Sequence, residues 1–416
     1  MSDTIDVGVA RTLEAVERDI ASFGPSFPDN ATVDGKYLPR PSAYGMGPGG
    51  NYGWTTSFRT AERWMAWQLD GDDKFKEAAL EDVGSFERRI FEGIDTDTHD
   101  LGFLYSLSSI PAWGMVGLDT ARRAALAAAD KLMTRFWEKA GIIQAWGSLD
   151  DPEQSCRTII DSLMNTPLLY WATQETGDSR YAEAAHRHTA ALRDNIVRPD
   201  DSTFHTFYWD AKTGEPLRGA THQGYSDSSC WARGQAWGIY GFSLGYRYTG
   251  DVTFLETAER CAKYFLAHLP ADHVSYWDLV FTDGSGEPRD SSAAAIAACG
   301  LLEMAEMGEC FSRTRVAGGS SATAEEIAAT GELPMSLTCA RDVSEEVEYY
   351  RGWARKIVDS LAENYTDLPA DSTAMIAHGV YSKPGGAGVD EANLWGDYFY
   401  MEALMRLAKP EWRPYW

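Results

Sequence analysis

Apolar side chains recur along most of this chain at the 3.6-residue spacing of one helix face, with polar residues between them. Strand-like pieces are few and short, and one of them, residues 203–209, is expected at the rim of the fold. The pattern therefore predicts an all-α protein with minor strands. The twelve predicted helices lie near residues 5–20, 54–69, 73–92, 100–112, 118–137, 159–175, 179–196, 231–247, 252–268, 291–309, 345–364 and 395–408.

A glycine-aspartate step recurs between successive helices. Glycine can adopt the left-handed conformation that ends one helix, and aspartate can cap the free N–H groups of the next. An aromatic residue three positions after each aspartate is expected to pin the second helix to the first. Six such hairpins close naturally as an (α/α)6 barrel, with the loops of the inner helices around one central cleft. The three copies are Gly71-Asp72, Gly177-Asp178 and Gly250-Asp251, followed by Phe75, Tyr181 and Phe254.

Two segments interrupt the helical pattern. Residues 315–340 are rich in small and polar side chains and are interpreted as a surface insertion in one barrel domain spanning residues 1–416. Residues 383–388 form a glycine-rich loop shortly before a predicted helix, and this loop is expected over the cleft. Neither segment changes the predicted fold class.

Composition and charge narrow the choice of ligand. The formal net charge of −25 argues against nucleic acid and anionic membranes, which need a basic surface. The 15 tryptophans favour a carbohydrate ligand, because indole rings stack on sugars, although most of them should lie in the core. The six cysteines lack the spacing of a zinc site, and no apolar leader opens the sequence. A cytoplasmic enzyme is therefore expected.

Two aspartates, Asp100 and Asp161, stand in unlike surroundings. Each begins an apolar, helix-like run, so each carboxylate is predicted at a helix start, where a barrel of helices builds its pocket. Two carboxylates that share a cleft but not an environment can divide the roles of acid and base, which is the usual arrangement for cutting sugars. A glycosidase is therefore the first hypothesis.

The segment 222–237 is the densest group of candidate binding residues. Trp231, Arg233 and Trp237 fall near the first two turns of a predicted helix, where the guanidinium could bind the carboxylate of an anionic sugar. The other interpretation is a structural arginine tied to a helix end or to an aspartate, and the residues leave both open. His205 and His222 lie in aromatic segments outside the regular helices, where a functional role is as well supported as a structural one.

Other chemistries lack their motifs. The acidic run 95–100 lacks the glycine and glutamate of a calcium loop, and the glycine-rich loop 383–388 lacks the lysine of a nucleotide-binding loop. No Gly-x-Ser-x-Gly elbow occurs, and no cysteine stands where its thiolate would be activated. Acid/base chemistry without a metal or cofactor is what remains.

In their order along the chain, these segments resemble the unsaturated glucuronyl hydrolases, glycoside hydrolase family 88. The resemblance implies an (α/α)6 barrel, in agreement with the hairpin pattern. The matching pieces are His99-Asp100-Leu101-Gly102-Phe103, Asp161 to Ala172, His222-Gln223-Gly224-Tyr225, Trp231 to Trp237, Arg289 to Ala294 and Gly396 to Tyr400.

The resemblance also implies a reaction and a set of site residues. Members of this family hydrate the C4=C5 double bond of a terminal unsaturated uronate. By motif match, Asp161 would protonate C4 and then draw a proton from the water that attacks C5, while Asp100 would hold ring hydroxyls and stabilise positive charge. The substrate-binding residues implied in the same way are Trp54, His99, Trp146, His205, Gln223, Trp231, Arg233 and Trp237.

Two other functions stay open at the level of sequence. An unsaturated rhamnogalacturonyl hydrolase would have the same barrel and chemistry with a pectin-derived substrate. In a non-catalytic sugar-binding barrel, Asp100 and Asp161 would be helix caps. The expected partner is an oligosaccharide that carries an unsaturated uronate, and the expected assembly is a monomer or a weak homo-oligomer.

Overall fold

The computed structural model describes residues 4–151, 153–316 and 343–416. Twelve α-helices occur in these ranges, and the predicted all-α class is confirmed. They are α1 Thr4–Phe23, α2 Thr56–Asp70, α3 Asp73–Phe91, α4 Leu101–Val116, α5 Asp119–Met133, α6 Pro167–Thr176, α7 Ser179–Asn195, α8 Ala232–Thr249, α9 Val252–Ala267, α10 Ser291–Val316, α11 Val343–Asn364 and α12 Leu394–Ala408.

The helices form two concentric rings, and this confirms the predicted (α/α)6 barrel. The even-numbered helices pack on one another in order around the inner ring, and α12 packs back on α2, where the rings of Tyr398 and Phe58 lie 5.3 Å apart. Inner helices such as α8 and α12 are buried on every face through most of their length. Outer helices such as α7 bury only one face, because their other face meets solvent.

The glycine-aspartate steps behave as predicted. The three glycines have φ values of 86°, 75° and 67°, so each ends a helix in the left-handed region. Each aspartate then accepts a hydrogen bond from the backbone N–H two residues later, at 3.0–3.1 Å. The aromatic residues Phe75, Tyr181 and Phe254 are at most 4% exposed. These three joints connect the inner helices α2, α6 and α8 to the outer helices that follow them.

The prediction of one continuous helix over residues 159–175 is wrong. A strand, Arg157–Ile159, leads into a short 3₁₀ helix, Ile160–Met164, and the α-helix begins only at Pro167. Proline suits a first helical position, where its missing N–H is not needed, but in a helix interior it would break the ladder and clash with the preceding turn. Asp161 therefore lies on a single tight turn between a strand and an inner helix.

Seven short strands form three antiparallel sheets in the described ranges, and they decorate the end of the barrel where the inner helices begin. The predicted strand near 203–209 is confirmed as β4, and the loop 383–386 is the turn of the β6–β7 hairpin. The strands are β1 Phe136–Trp137, β2 Ile142–Ile143, β3 Arg157–Ile159, β4 Thr206–Trp209, β5 Pro216–Ala220, β6 Gly379–Ser382 and β7 Ala387–Glu391.

The opposite end of the barrel is closed by buried ion pairs. The Arg406 guanidinium contacts the carboxylates of Glu303, Glu306 and Glu402 at 2.9–3.1 Å. These contacts join α10 to α12 at the end of the barrel opposite the short strands. None of the described helices is long and apolar enough to cross a membrane. The predicted insertion at 315–340 falls outside the described residues apart from the end of α10, and it stays a prediction, as does the single domain.

Candidate active site

A cavity of about 400 Å³ opens at the N-terminal ends of the inner helices. Trp54 lies just before α2, and Asp100 and Trp231 occupy the positions directly before α4 and α8. Because the N-terminal end of each helix carries partial positive charge, their convergence favours a negatively charged ligand. The lining residues are Trp54, His99, Asp100, Trp146, Ile159, Asp161, His205, His222, Gln223, Trp231, Arg233, Trp237, Tyr381 and Ser382. All ten site residues predicted from the sequence are among them.

The two aspartates face each other across a buried histidine. His99 Nε2 lies 3.3 Å from Asp100 Oδ1 and 3.6 Å from Asp161 Oδ1. Asp100 Oδ2 also accepts a hydrogen bond of 2.7 Å from the Thr98 hydroxyl. Both carboxyl side chains are 17% exposed, whereas His99 is 1% exposed. The pair is thus reachable from the cavity but largely removed from water.

Burial separates the protonation states of these groups. It raises the pKa of Asp100 to about 6. The pKa of Asp161 is raised well above its ordinary value, first by burial and then by the charge of Asp100, with Arg233 opposing the shift. Burial, with help from nearby arginines, lowers the pKa of His99 to about 3. These shifts favour the protonated form of Asp161, a mostly ionised Asp100 and a neutral His99 at neutral pH.

Direct backbone contact sets the distance between the two aspartates. A Cβ atom on Gly102, in the first turn of α4, would lie 2.2 Å from Asn165 Cα. The Asn165 side chain accepts a hydrogen bond of 2.7 Å from the Phe103 N–H. The turn that carries Asp161 therefore rests on the start of the helix that Asp100 caps, and only glycine permits this approach.

Aromatic rings wall the cavity. The Trp231 ring lies 4.4 Å from that of His205, and the Trp54 ring lies 5.0 Å from that of Trp395. The Trp237 ring contacts Phe103 from α4 at 5.6 Å. Flat apolar walls of this kind suit the faces of a sugar ring.

The tautomer of His205 follows from its hydrogen bonds. Its Nδ1 atom accepts from the backbone N–H groups of His222 and Gln223, at 2.9 and 3.3 Å. The proton must therefore reside on Nε2, which leaves that N–H as the ring's donor. Burial lowers the pKa of His205 well below its ordinary value, so the ring is neutral at pH 7.

The Arg233 guanidinium has protein partners in the structure. It pairs with Asp290 at 3.0 Å and donates to the carbonyl oxygens of Val380 and Tyr381. These contacts tie α8 to the residue before α10 and to the β6–β7 hairpin, as the structural interpretation expects, and a role in binding a ligand carboxylate stays a prediction. Arg233 still lines the cavity, and its Nη2 lies 3.4 Å from Gln223 Oε1, so it orients a second lining residue.

Four lining residues were not among the predicted set. His222 stands in the segment already singled out, and Tyr381 and Ser382 directly precede the glycine-rich loop, so their neighbourhood was a usable signal. Ile159 gave no sequence signal of a cavity position, because an apolar residue before Asp161 is equally typical of the core. Trp54 Nε1 donates to Tyr381 Oη at 3.3 Å, which links the first inner helix to the hairpin.

The two aspartates and the histidine between them could also hold a cation. His99, Asp100 and Asp161 each offer one donor atom, and these atoms lie within 4.8 Å of one another. Oxygen and imidazole donors of this kind suit several divalent metals. The raised carboxyl pKa values mean that protons compete for the same oxygens.

A helical barrel whose cavity brings a carboxyl pair together with tryptophans is typical of an enzyme that acts on carbohydrates. Residues 50–363 match the model of the family described as Glycosyl Hydrolase Family 88. The chain belongs to this family, as its motifs predicted.

The relatives cover nearly the whole chain. It is 41% identical over 415 residues to the unsaturated chondroitin disaccharide hydrolase of Streptococcus pneumoniae, covering 100% of this chain and 94% of that protein. It is 39% identical over 402 residues to the unsaturated glucuronyl hydrolase of Bacillus sp. strain GL1, covering 96% of each. The crystal structure of an unsaturated glucuronyl hydrolase from Streptococcus agalactiae superposes with a TM-score of 0.86 at 41% identity, covering 99% of this chain and 94% of that one.

Proposed function

We propose that this protein removes 4,5-unsaturated glucuronic acid from the non-reducing end of disaccharides and oligosaccharides that lyases release from glycosaminoglycans. The observation that carries the proposal is the carboxyl pair Asp100 and Asp161, of unequal protonation, within a tryptophan-walled cavity. The names of the relatives agree with this substrate class.

In this proposal Asp161 acts twice in the hydration of the C4=C5 vinyl ether. Its raised pKa keeps a proton on the carboxyl group, and this proton passes to C4, so that positive charge develops at C5 and the ring oxygen. The resulting Asp161 carboxylate then takes a proton from water as the water oxygen bonds to C5. The acid is regenerated, and the hemiketal opens to release the neighbouring sugar.

Asp100 supports the charged stage of this reaction. With a pKa of about 6 it is mostly ionised at neutral pH, and its carboxylate stabilises the positive charge on the sugar and accepts from ring hydroxyls. The hydrogen bond from Thr98 and the neighbouring His99 hold it in place. A neutral His99 adds no positive charge that would oppose protonation of C4.

The remaining predicted residues bind and enclose the unsaturated sugar. Gln223 and the Nε2–H of His205 offer hydrogen-bond donors. The sugar is walled by four tryptophan rings, those of Trp54, Trp146, Trp231 and Trp237. The converging helix ends favour its carboxylate. In this proposal Arg233 binds the unsaturated sugar from the cavity wall and also positions Gln223 and the β6–β7 hairpin.

The proposal includes a cytoplasmic enzyme without metal or cofactor, acting as a monomer or weak homo-oligomer and binding neither nucleic acid nor membranes. The four cysteines whose side chains are described, Cys156, Cys230, Cys261 and Cys299, are free and buried. Free thiols are typical of the reducing cytoplasm.

Loss of ultraviolet absorbance from the substrate's conjugated double bond tests the function directly. Unsaturated disaccharides from chondroitin, hyaluronan and heparin are compared with one from rhamnogalacturonan. We expect loss on glycosaminoglycan products that the substitution Asp161→Asn abolishes. Loss on the pectin product alone would make the protein an unsaturated rhamnogalacturonyl hydrolase, and binding without any loss would indicate a sugar-binding barrel.

A further inference from the structure

His378 lies at the base of the β6–β7 hairpin, between two carboxylates. Its Nδ1 atom is 2.7 Å from Asp390 Oδ1, and its Nε2 atom is 3.1 Å from Asp367 Oδ1. His378 directly precedes β6, Asp390 lies on β7, and Asp367 follows the outer helix α11. The imidazole ring therefore connects both strands of the hairpin to the end of an outer helix. His378 with these two aspartates is called the His378 clamp below.

The two contacts of the ring require that it be charged. A neutral imidazole has one N–H group and one lone pair, so one of its nitrogen atoms would turn a lone pair toward a carboxylate. The imidazolium form donates from both nitrogen atoms, and hydrogen bonds between charged partners are stronger than neutral ones. The base of the hairpin is therefore held best when His378 carries a proton.

The surroundings of His378 favour this charge. Two acidic side chains among the described residues pair with its ring, Asp367 and Asp390. Partial burial lowers the pKa of His378, but the two carboxylates outweigh this effect and raise the pKa above its ordinary value. The pKa is lowered instead for the histidines of the core and the cavity, which are His99, His188, His205 and His222.

The other described neighbours of His378 have partners of their own. The Tyr365 ring, just after α11, lies 5.8 Å from the imidazole ring, and its hydroxyl donates to Asp272 at 2.7 Å. Asp272 in turn pairs with Arg289 at 3.3 Å. Ser291, the first residue of α10, donates its N–H to the His378 carbonyl oxygen at 3.1 Å. A change in the charge of His378 therefore acts mainly on its two carboxylate partners.

The backbone at the base of the hairpin is strained. His378 and Asp390 have φ values of 62° and 61°, in the left-handed region that residues other than glycine rarely adopt. Asp390 is the extra residue of a bulge opposite Gly379 and Val380. Such conformations persist where surrounding contacts fix them. The hydrogen bond between His378 and Asp390 is a contact of this kind, because it joins the two strained residues.

The hairpin in turn forms one wall of the cavity. Tyr381 and Ser382 line the cavity, and Tyr381 Oη accepts from Trp54 Nε1 at 3.3 Å. The Tyr381 carbonyl oxygen also accepts from the Arg233 guanidinium at 2.8 Å. A displacement of the base of the hairpin would therefore move residues that line the cavity.

We propose that His378 is a positioning residue for the reaction: its imidazolium holds the base of the hairpin and thereby sets the places of Tyr381 and Ser382 in the cavity wall. This inference rests on the proposed function, which puts the unsaturated sugar against that wall. The clamp is fully present below the ordinary histidine pKa of 6.5 and is lost as the pH rises through the raised pKa of the folded protein. Substrate affinity should therefore decrease on the alkaline side.

Michaelis constants at pH 6 and pH 9 test the clamp through substrate. KM and kcat are measured on an unsaturated chondroitin disaccharide for wild type, His378→Gln and His378→Arg. At pH 6, His378→Gln should raise KM about three- to tenfold, the size expected of two partly exposed ion pairs, with kcat changed by less than about twofold. At pH 9 wild type should lose this advantage, so that the two proteins converge. His378→Arg keeps a charge and several donors, so its KM should stay low at both pH values.

His186→Gln is the matched control, because His186 also pairs with one aspartate, Asp251, at 3.3 Å, but lies on the outer helix α7. Its KM should equal that of wild type at both pH values. Asp161 is present in all four proteins, so its titration cancels when they are compared at one pH. An equal effect of His378→Gln at pH 6 and pH 9 would indicate a merely structural residue, and no effect at pH 6 would indicate no role. Either result overturns the proposal.

Hydrogen exchange keeps this inference separate from the proposed function. Exchange of the hairpin amides, residues 379–391, is followed in the free protein and divided by the intrinsic rate at each pH. Wild type should be protected about three- to tenfold more than His378→Gln at pH 6, and both should be protected equally at pH 9. If wild type turns over no substrate, the proposed function has failed, and exchange still tests the clamp. Equal protection of the two proteins at pH 6 would refute it.

Discussion

The substitution Asp161→Asn removes a titratable proton from the cavity and leaves the shape of the side chain almost unchanged. A positioned acid/base group contributes about 10²–10⁴-fold to turnover, so we expect a loss of that size, equal to about 2.7–5.4 kcal/mol of barrier. The amide can neither protonate C4 nor take a proton from the attacking water, so both steps assigned to Asp161 fail together.

The same substitution has the opposite effect on stability. Because the folded protein raises the pKa of Asp161, the unfolded chain releases this proton at a lower pH than the folded protein does. Wild-type stability therefore decreases as the pH rises from the ordinary carboxyl value toward the raised one, by up to about 1.4 kcal/mol per pH unit for this group. Asparagine removes that slope, so the variant should be at least as stable as wild type at neutral pH.

The assay pairs initial rates of absorbance loss with denaturant unfolding at pH 5 and pH 8. Asp178→Ala is the control: it removes the capping aspartate of α7, whose side chain accepts from the Arg180 N–H at 3.1 Å. It should lose about 1 kcal/mol of stability with normal turnover. An Asp161→Asn protein that keeps more than about a tenth of wild-type turnover would refute the assignment, because the smallest expected loss is about a hundredfold.

Three further results are expected. Asp100→Asn should move the alkaline limb of the kcat/KM profile to lower pH, because the Asp100 charge helps to raise the pKa of Asp161; an unmoved limb would show that the two groups do not interact. Gly102→Ala should lower both kcat and melting temperature by pushing α4 off Asn165, whereas Gly114→Ala in the same helix, with open space around its Cβ, should be neutral or stabilising; similar behaviour of the two would argue against the contact. EDTA should leave turnover unchanged, whereas activity lost with EDTA and restored by a divalent cation would make the carboxyl pair and His99 a metal site.

Local sequence signals predicted the helices, and the resemblance to glycoside hydrolase family 88 implied the set of cavity residues. The glycine-aspartate joints and the helical periodicity act within a few residues, so they could be read without any tertiary information. The ordered motifs named residues that the structure gathers around one cavity. Their chemical roles stay predictions until they are measured.

Features that depend on distant contacts could not be predicted. Arg233 is neutralised by Asp290, 57 positions later in the chain, and nothing near Arg233 reveals that partner. The spacing of Asp100 and Asp161 depends on the meeting of Gly102 with Asn165, which belongs to a different helix pair. Pro167 indicated a helix start, but the apolar residues on both sides of it favoured one continuous helix from residue 159.

The closure of the barrel has a consequence for synthesis of the protein. One wall of the cavity joins Trp54 to Tyr381, residues 327 positions apart, and Trp54 also packs on Trp395 of the last inner helix. A ribosome adds about 5–20 residues per second, so about 16–65 s separate the emergence of the two sides of this wall. Until α12 packs on α2, the nascent chain exposes the apolar faces through which these two helices close the inner ring. A chain that stops before the β6–β7 hairpin lacks one wall of the cavity and cannot hold substrate. Catalytic activity should therefore appear only after this hairpin and α12 have left the exit tunnel.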